Sequence, residues 1–330
     1  MIERSQRNGT RFLNPVPSSV GGLSIFLKVF WRFLAGREER TPKQKLGPFR
    51  TDPRVYETAP ASGLRVTWMG HSSSLLEIDG ARILIDPVWE KRAAPVEWAG
   101  PRRFFPPPLV LQDLPPIDIV IVSHDHFDHL GANTVRQLSS LKAVANARWL
   151  TPLEVGPLLK EFGVNPSRIA ELDWKDSVRV GELQVSALPA RHFSGRTLSA
   201  RFKTLWASFA IAGPRHRVYY GADSGEWEGF REIASDYGPF DLTMLEIGAF
   251  DPLWSDIHMG PEGAIRTFRA MGNSGLLMPI HWGLFSLALH AWRQPIERMF
   301  FEKNLNLWCP QPGLPTEVVG GQELRSEWWR

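Results

Sequence analysis

Two β-sheets packed together with helices on the outside, an α/β (α+β) architecture, is what this sequence predicts, and three observations carry the prediction. Strand-like segments come in two batches, with helix-like segments between them. Turn signals such as Asp79-Gly80 join neighbouring segments into hairpins. The 330 residues are 43% apolar, enough to bury a large core as one domain or two intimate halves.

In chain order, residues 1–19 mix Arg, Asn, Ser, Pro and Gly without periodicity and read as an arm. In residues 23–34, Leu23, Phe26, Leu27, Phe30, Phe33 and Leu34 fall on one helical stripe, with Ser24, Lys28 and Arg32 off it. A basic amphipathic helix of this kind either lies in a membrane interface or packs on its domain; it is too short and too charged to span a bilayer. Residues 37–45 read as a charged linker. Residues 1–63 are thus arm, helix and linker, and residues 64–330 the folded domain.

Segments 64–68, 74–78 and 82–85 are short strands, the last two joined through Asp79-Gly80. His71 lies at the mouth of that sheet and reads as a substrate or ligand-supporting contact, or as a structural hydrogen-bonding group. Asp86 ends the third strand. Residues 100–108 are too rich in proline for regular structure; Arg102 and Arg103 beside Phe104 and Phe105 suit an amphiphilic anion or a plain surface loop. The largely apolar run 117–122 is a buried strand. Helices are expected over 132–138 and 152–162, with a strand over 143–147 between them. A hairpin follows over 178–180 and 183–188, then strands over 207–211, 217–220 and 242–247. Residues 261–271 read as a helix with proline in its first turn, and 276–280 as a last strand.

The run 117–122 leads into Ser123-His124-Asp125-His126-Phe127-Asp128-His129, three histidines and an aspartate in the pattern His-x-His-x-Asp-His. Neutral imidazole and carboxylate are ligands that zinc and similar divalent ions accept. Three further strands end in a metal-competent residue beside glycine or other small residues: His192, Asp223 and His281. A count supports two ions. His124, His126 and His192 give three ligands to one, Asp128, His129 and His281 three to the other, and Asp223 can bridge. A position is left for water, as a catalytic site requires.

Longer stretches carry a resemblance. They are Trp68-Met-Gly-His-Ser-Ser, Ile85-Asp-Pro-Val-Trp89, Arg103-Phe-Phe-Pro-Pro-Pro108, the histidine loop, Pro189-Ala-Arg-His192, Ile247-Gly-Ala-Phe250, His258-Met-Gly-Pro-Glu262 and Ile280-His-Trp-Gly283. From about residue 64 to about residue 283 the chain resembles the metallo-β-lactamase superfamily. Within it, the chain is most similar to hydrolases related to N-acyl-phosphatidylethanolamine phospholipase D. The resemblance implies an αββα sandwich with a dinuclear site at the sheet edges, and hydrolysis of a phosphodiester to a phosphatidic acid-like product. Ala200-Arg201-Phe202-Lys203 departs from the family pattern, as does Arg191 where glutamine is common.

On this reading two Zn2+, or other divalent cations such as Mn2+ or Fe2+, hold a bridging hydroxide that attacks phosphorus. Asp128 ligates and orients the nucleophile, His258 meets the phosphate or leaving group or else bonds at a helix start, and His71 supports the site. Asp125, unassigned among the ligands, is a partner that orients the histidines. The rivals are a lactonase or other hydrolase of a soluble ester, similar to ascorbate-6-phosphate lactonase, and a non-catalytic metal-bound scaffold at a membrane. The partners expected are a phospholipid or other phosphodiester, and a membrane surface met through residues 23–34. A net charge of +3 without basic blocks gives no sign of nucleic acid. The single cysteine, Cys309, excludes an intrachain disulfide and fits a reducing, cytoplasmic setting. Fourteen tryptophans suit a core, a substrate cleft or a membrane interface, and nothing in the sequence sets the oligomeric state.

Overall fold

The structure is a computed structural model that describes residues 2–20, 28, 29, 31, 32, 35–320 and 322–330. All six residues of the apolar stripe expected over 23–34 lie outside the described residues. The segment read as an arm is packed. Its hairpin, β1 (Arg7–Asn8) and β2 (Arg11–Phe12), sets Phe12 into the core beside Ile2, and Phe12 N donates to Phe202 O at 2.7 Å.

The first sheet contains β3 (Leu64–Gly70), β4 (Ser73–Ile78), β5 (Ala81–Ile85), β6 (Ile119–Ile121), β7 (Arg148–Pro152) and β8 (Ile169–Leu172). The second contains β9 (Ser177–Val180), β10 (Leu183–Leu188), β11 (Ser208–Ala212), β12 (Arg217–Tyr220), β13 (Leu242–Glu246) and β14 (Leu276–Ile280). Each begins antiparallel and continues parallel from β5 and from β12 onward. After β15 (Trp308–Cys309), the strand β16 (Thr316–Glu317) pairs with β3 and covers the edge of the first sheet; β17 (Leu324–Arg325) pairs with β15. Covering an edge removes a row of open backbone groups.

Alternation along the strands builds the layers. Val66, Leu76, Ile83, Ile85, Ile119 and Ile121 face one way and pack with Val185, Phe209, Ile211, Val218 and Tyr220 of the second sheet. Leu75, Leu84, Val120 and Val122 face the other way. They meet Val135 and Leu138 of α1 (Ala132–Ser139) and Leu159 of α2 (Gly156–Glu161). On the far side of the second sheet lie α3 (Gly229–Tyr237) and α4 (Gly260–Ala270), with α5 (Gln294–Phe300) against α4. Each fully buried aliphatic side chain contributes about 1.5–3 kcal/mol. The architecture is the αββα sandwich.

Two boundaries differ from expectation. Residues 142–144 form a 3-10 turn, and the strand lies five residues later, at Arg148–Pro152. Both stretches are apolar, but only the later one meets β6 in register, Ile121 against Leu150. The helix expected from 152 therefore starts at Gly156, because Thr151 and Pro152 complete the strand. The Asp79-Gly80 hairpin stands as expected, both residues at positive φ. The loop 100–108 is not a plain surface loop: Phe105 is buried against Phe49, and Arg103 donates to the Trp89 carbonyl.

Candidate metal centre

Strands β3, β5, β6, β10, β12, β13 and β14 all run towards one edge of the sandwich, and their ends deliver the polar residues of the site. Many of these exits are sharp. His71, Asp86, Ala222, Ala249 and His281 all have φ between 38° and 61°, a left-handed conformation that L-residues rarely adopt.

The histidine loop turns directly after β6. Ser123 N donates to Asp86 Oδ1 at 2.7 Å, and the His126 carbonyl accepts from Leu130 N at 2.8 Å. His124 Nε2 and His126 Nδ1 stand 2.9 Å apart, and His192 Nε2 stands 3.3 Å from His126 Nδ1. His192 Nδ1 donates to the Ile257 carbonyl at 3.0 Å, which fixes the ring with Nε2 turned to the cluster. A proton can join only one pair of these three nitrogens; a cation at their meeting point satisfies all of them.

The second cluster unites His71, Asp128, His129 and His281. His281 Nε2 lies 3.3 Å from Asp128 Oδ2 and 3.0 Å from Asp223 Oδ2, yet hydrogen-bonds to neither. His129 Nδ1 is held by Asp86 Oδ2 at 2.6 Å, so its Nε2 points inward, 3.2 Å from Asp223 Oδ1. His71 Nε2 meets Asp128 Oδ2 at 2.9 Å from behind, and His71 does not line the cleft described below. Asp223 lies between the two clusters. Its Oδ2 is also 3.6 Å from His192 Nε2 and 3.9 Å from His124 Nε2.

The protein's own charges fit a cation at each position. Burial, then the neighbouring imidazoles, hold His124 well below the usual histidine range; burial holds His192 down too, against the pull of Asp223. Both shifts favour the neutral form, the one that ligates a cation. Burial opposes charge on Asp128 and Asp223, but His129 and His281 outweigh it and keep both carboxylates well below the ordinary range. Burial likewise opposes charge on His281, yet Asp223 and Asp128 push it up to about 10. Two buried carboxylates thus demand positive charge, while His129 Nε2, His281 Nε2 and Asp223 Oδ1 are buried without hydrogen-bond partners. Inward-facing ring nitrogens and carboxylate oxygens around a shared centre offer the lone pairs that a divalent ion takes.

Two carboxylates escaped the sequence reading. Asp86, fully buried, accepts from Ser123, His129 and Tyr220 and organises the loop from below. Glu246, also buried, accepts from Met259 N and holds His258 Nδ1 at 2.6 Å. A glutamate inside the apolar run 242–247 was the signal for the second; Asp86 ends its strand in the same way as the expected ligands. Asp125 is turned away from the clusters and accepts from Gly195 N at 2.7 Å, tying the histidine loop to the loop after His192.

A cleft of about 280 Å³ opens onto His126, Asp128, Asp223, His258 and His281. Its remaining walls are apolar: Val20, Phe193, Ala249, Trp254, Ile257 and Leu287.

The sequence profile described as "Beta-lactamase superfamily domain" matches residues 81–282. The chain belongs to that superfamily. It is a metal-dependent hydrolase of the metallo-β-lactamase fold. It is 34% identical to the N-acyl-phosphatidylethanolamine-hydrolyzing phospholipase D 1 of Caenorhabditis elegans, over 85% of this chain and 83% of that protein. It is 45% identical to an uncharacterised protein of Mycobacterium tuberculosis, over 92% of this chain and 80% of the other. The isothiocyanate hydrolase from Delia radicum gut bacteria shares the fold, with a TM-score of 0.61 at 19% identity, covering 78% of this chain and 100% of that one.

Proposed function

We propose that this hydrolase is a phosphodiesterase of the N-acyl-phosphatidylethanolamine phospholipase D type, acting with two divalent cations, zinc by the character of its ligands. The observation that carries the reading is the apolar-walled cleft ending on Asp223 between the two histidine clusters. A phosphodiester headgroup suits the polar floor, and the apolar walls suit the lipid carbons next to it; a soluble ester calls for a more polar pocket. The worm relative, named for hydrolysing such a phospholipid, supports the same substrate class.

In this reading His124, His126 and His192 would hold one ion, Asp128, His129 and His281 would hold the other, and Asp223 would serve both. When bound, the ions lower the pKa of a water towards neutrality and neutralise the phosphoryl oxygens. Asp128 would orient the attacking water, with His71 behind it fixing the carboxylate. His258 faces the cleft, and Glu246 holds its Nδ1 side, so that Nε2 is the group that meets the leaving oxygen. Residues 64–330 are the proposed hydrolase domain, with Ile2 and Phe12 of the N-terminal segment packed into its core and Val20 adding a wall to the cleft. Residues 23–34 begin three positions after Val20, so a membrane contact there would bring the cleft to the lipid from the cytoplasmic side. Among the described residues no helix is long and apolar enough to cross a membrane.

The test is metal content and turnover in one purified preparation, against an N-acyl-phosphatidylethanolamine, bis(p-nitrophenyl) phosphate and a simple lactone. Near two ions per chain with preference for the phospholipid is expected. Two ions with lactone turnover alone would keep the centre and discard the phosphodiesterase.

A further inference from the structure

His192 differs from the other proposed ligands in how its backbone is held. His124, His126 and His129 lie in a short loop clasped by Asp86 and followed by α1, and His281 N donates directly to His71 O. His192 instead opens a long excursion between β10 and β11 whose only regular structure is a short 3-10 turn, Leu198–Ala200. Its backbone is met by one side chain from far away in sequence. Asn14 Oδ1 accepts from His192 N at 2.9 Å, and Asn14 Nδ2 donates to His192 O at 2.7 Å. A carboxamide used in this way stands in for the peptide group of a neighbouring strand, bonding both backbone groups of one residue as a sheet partner would.

The segment carrying Asn14 is itself pinned beside the site. Arg191 Nε donates to Ser18 Oγ at 2.8 Å and Arg191 Nη2 to the Pro17 carbonyl at 3.0 Å. Arg191 also pairs with Asp256 at 2.8 Å, on the loop whose Ile257 carbonyl holds the His192 ring. Backbone and ring of His192 are thus fixed by two segments that Arg191 joins.

We propose that Asn14 is a positioning residue of the metal centre, setting His192 Nε2 for the ion it shares with His124 and His126. The inference rests on the two-ion assignment above. Partners that orient a ligand are worth about 10–100-fold in metal affinity.

The test measures zinc affinity by chelator competition, and melting of the metal-free proteins, for wild type, Asn14→Ala, Asn14→Asp and Arg7→Ala. The aspartate keeps the acceptor for His192 N and loses the donor to His192 O. Arg7, on the hairpin just before Asn14, contacts Glu154 at 2.9 Å without touching His192, and so reports any general loosening. The expected result is that both Asn14 variants bind one of the two ions about 10–100-fold more weakly and the other as wild type does. Arg7→Ala should bind both normally. Wild-type affinity for both ions in Asn14→Ala would overturn the proposal, as would equal weakening in Arg7→Ala. A wild type with fewer than two ions would overturn the assignment beneath it, a result visible before any variant is read.

Discussion

At the scale of single residues, Asp223 holds the central position, because its Oδ2 lies 3.0 Å from His281 Nε2 of one cluster and 3.6 Å from His192 Nε2 of the other. Asp223→Ala is expected to drop bound metal to one ion or none and to abolish hydrolysis; full activity in that variant would sink the dinuclear reading. A less obvious position is Gly248. A Cβ there would sit 1.9 Å from the His281 carbonyl oxygen, a contact with backbone that no rotamer relieves. Gly248→Ala should therefore displace His281, destabilising the fold by about 1–3 kcal/mol and lowering metal content together; a denaturant titration with metal analysis reads both. Asp86→Asn is expected to weaken metal binding by about 10–100-fold with the loop still formed. The histidine loop was legible in the sequence because its chemistry is local: three histidines in six positions after a buried strand admit few other readings. Asp86, Glu246 and Asn14 were not, because a lone polar residue gains its meaning from the partner it meets. Asn14 lies 178 positions from His192.

At the scale of elements, the strands and most helices were legible from apolar alternation and turn residues. The strand at Arg148–Pro152 was misplaced because pairing with β6, not local composition, selects the register. One turn also has a tertiary role. Asp79, at the tip of the β4–β5 hairpin, accepts from Arg215 N at 2.8 Å and from His216 N at 3.0 Å, and its Oδ1 meets His216 Nδ1 at 2.7 Å. It thereby staples the first sheet to the β11–β12 turn of the second, at the end opposite the metal centre. Burial raises the Asp79 pKa, but these donors more than offset it and leave the group below the ordinary aspartate value. A depressed carboxylate stabilises above its unfolded-state pKa and loses that contribution as pH falls through the folded value. Asp79→Ala should therefore be less stable than wild type by about 1–3 kcal/mol at neutral pH. The gap should close as pH drops below about 4. Urea midpoints across that range check it, and a gap that stays constant would remove the carboxylate from the account.

At the scale of the molecule, the proposed ligands come from both sheets, with His124, His126, Asp128 and His129 on the first and His192, Asp223 and His281 on the second. Bound ions would clamp the sandwich at one end as Asp79 does at the other. Free metal at about 100 times its dissociation constant would stabilise the fold by about 2.7 kcal/mol. Chelation should thus lower the melting temperature as well as stop turnover; equal melting with and without chelator would separate the ions from the sheet contact. The sequence indicated two packed sheets but not that the carboxyl terminus returns to the first of them, since β16 is only two residues long and the Trp328 and Trp329 rings pack on Trp282 from outside any periodic segment.

The chain crosses from the first sheet to the second only after β8, and that order has a consequence during synthesis. A ribosome releases about 5–20 residues per second, so the histidine loop emerges about 150 residues, or roughly 8–30 s, before His281. During that interval the nascent chain carries exposed imidazoles and carboxylates, a half-built chelator open to whatever cation is abundant. Copper would be favoured over zinc by affinity alone. The cation taken up at the proposed centre would then depend on what is free nearby when the second sheet closes, as well as on the character of the ligands.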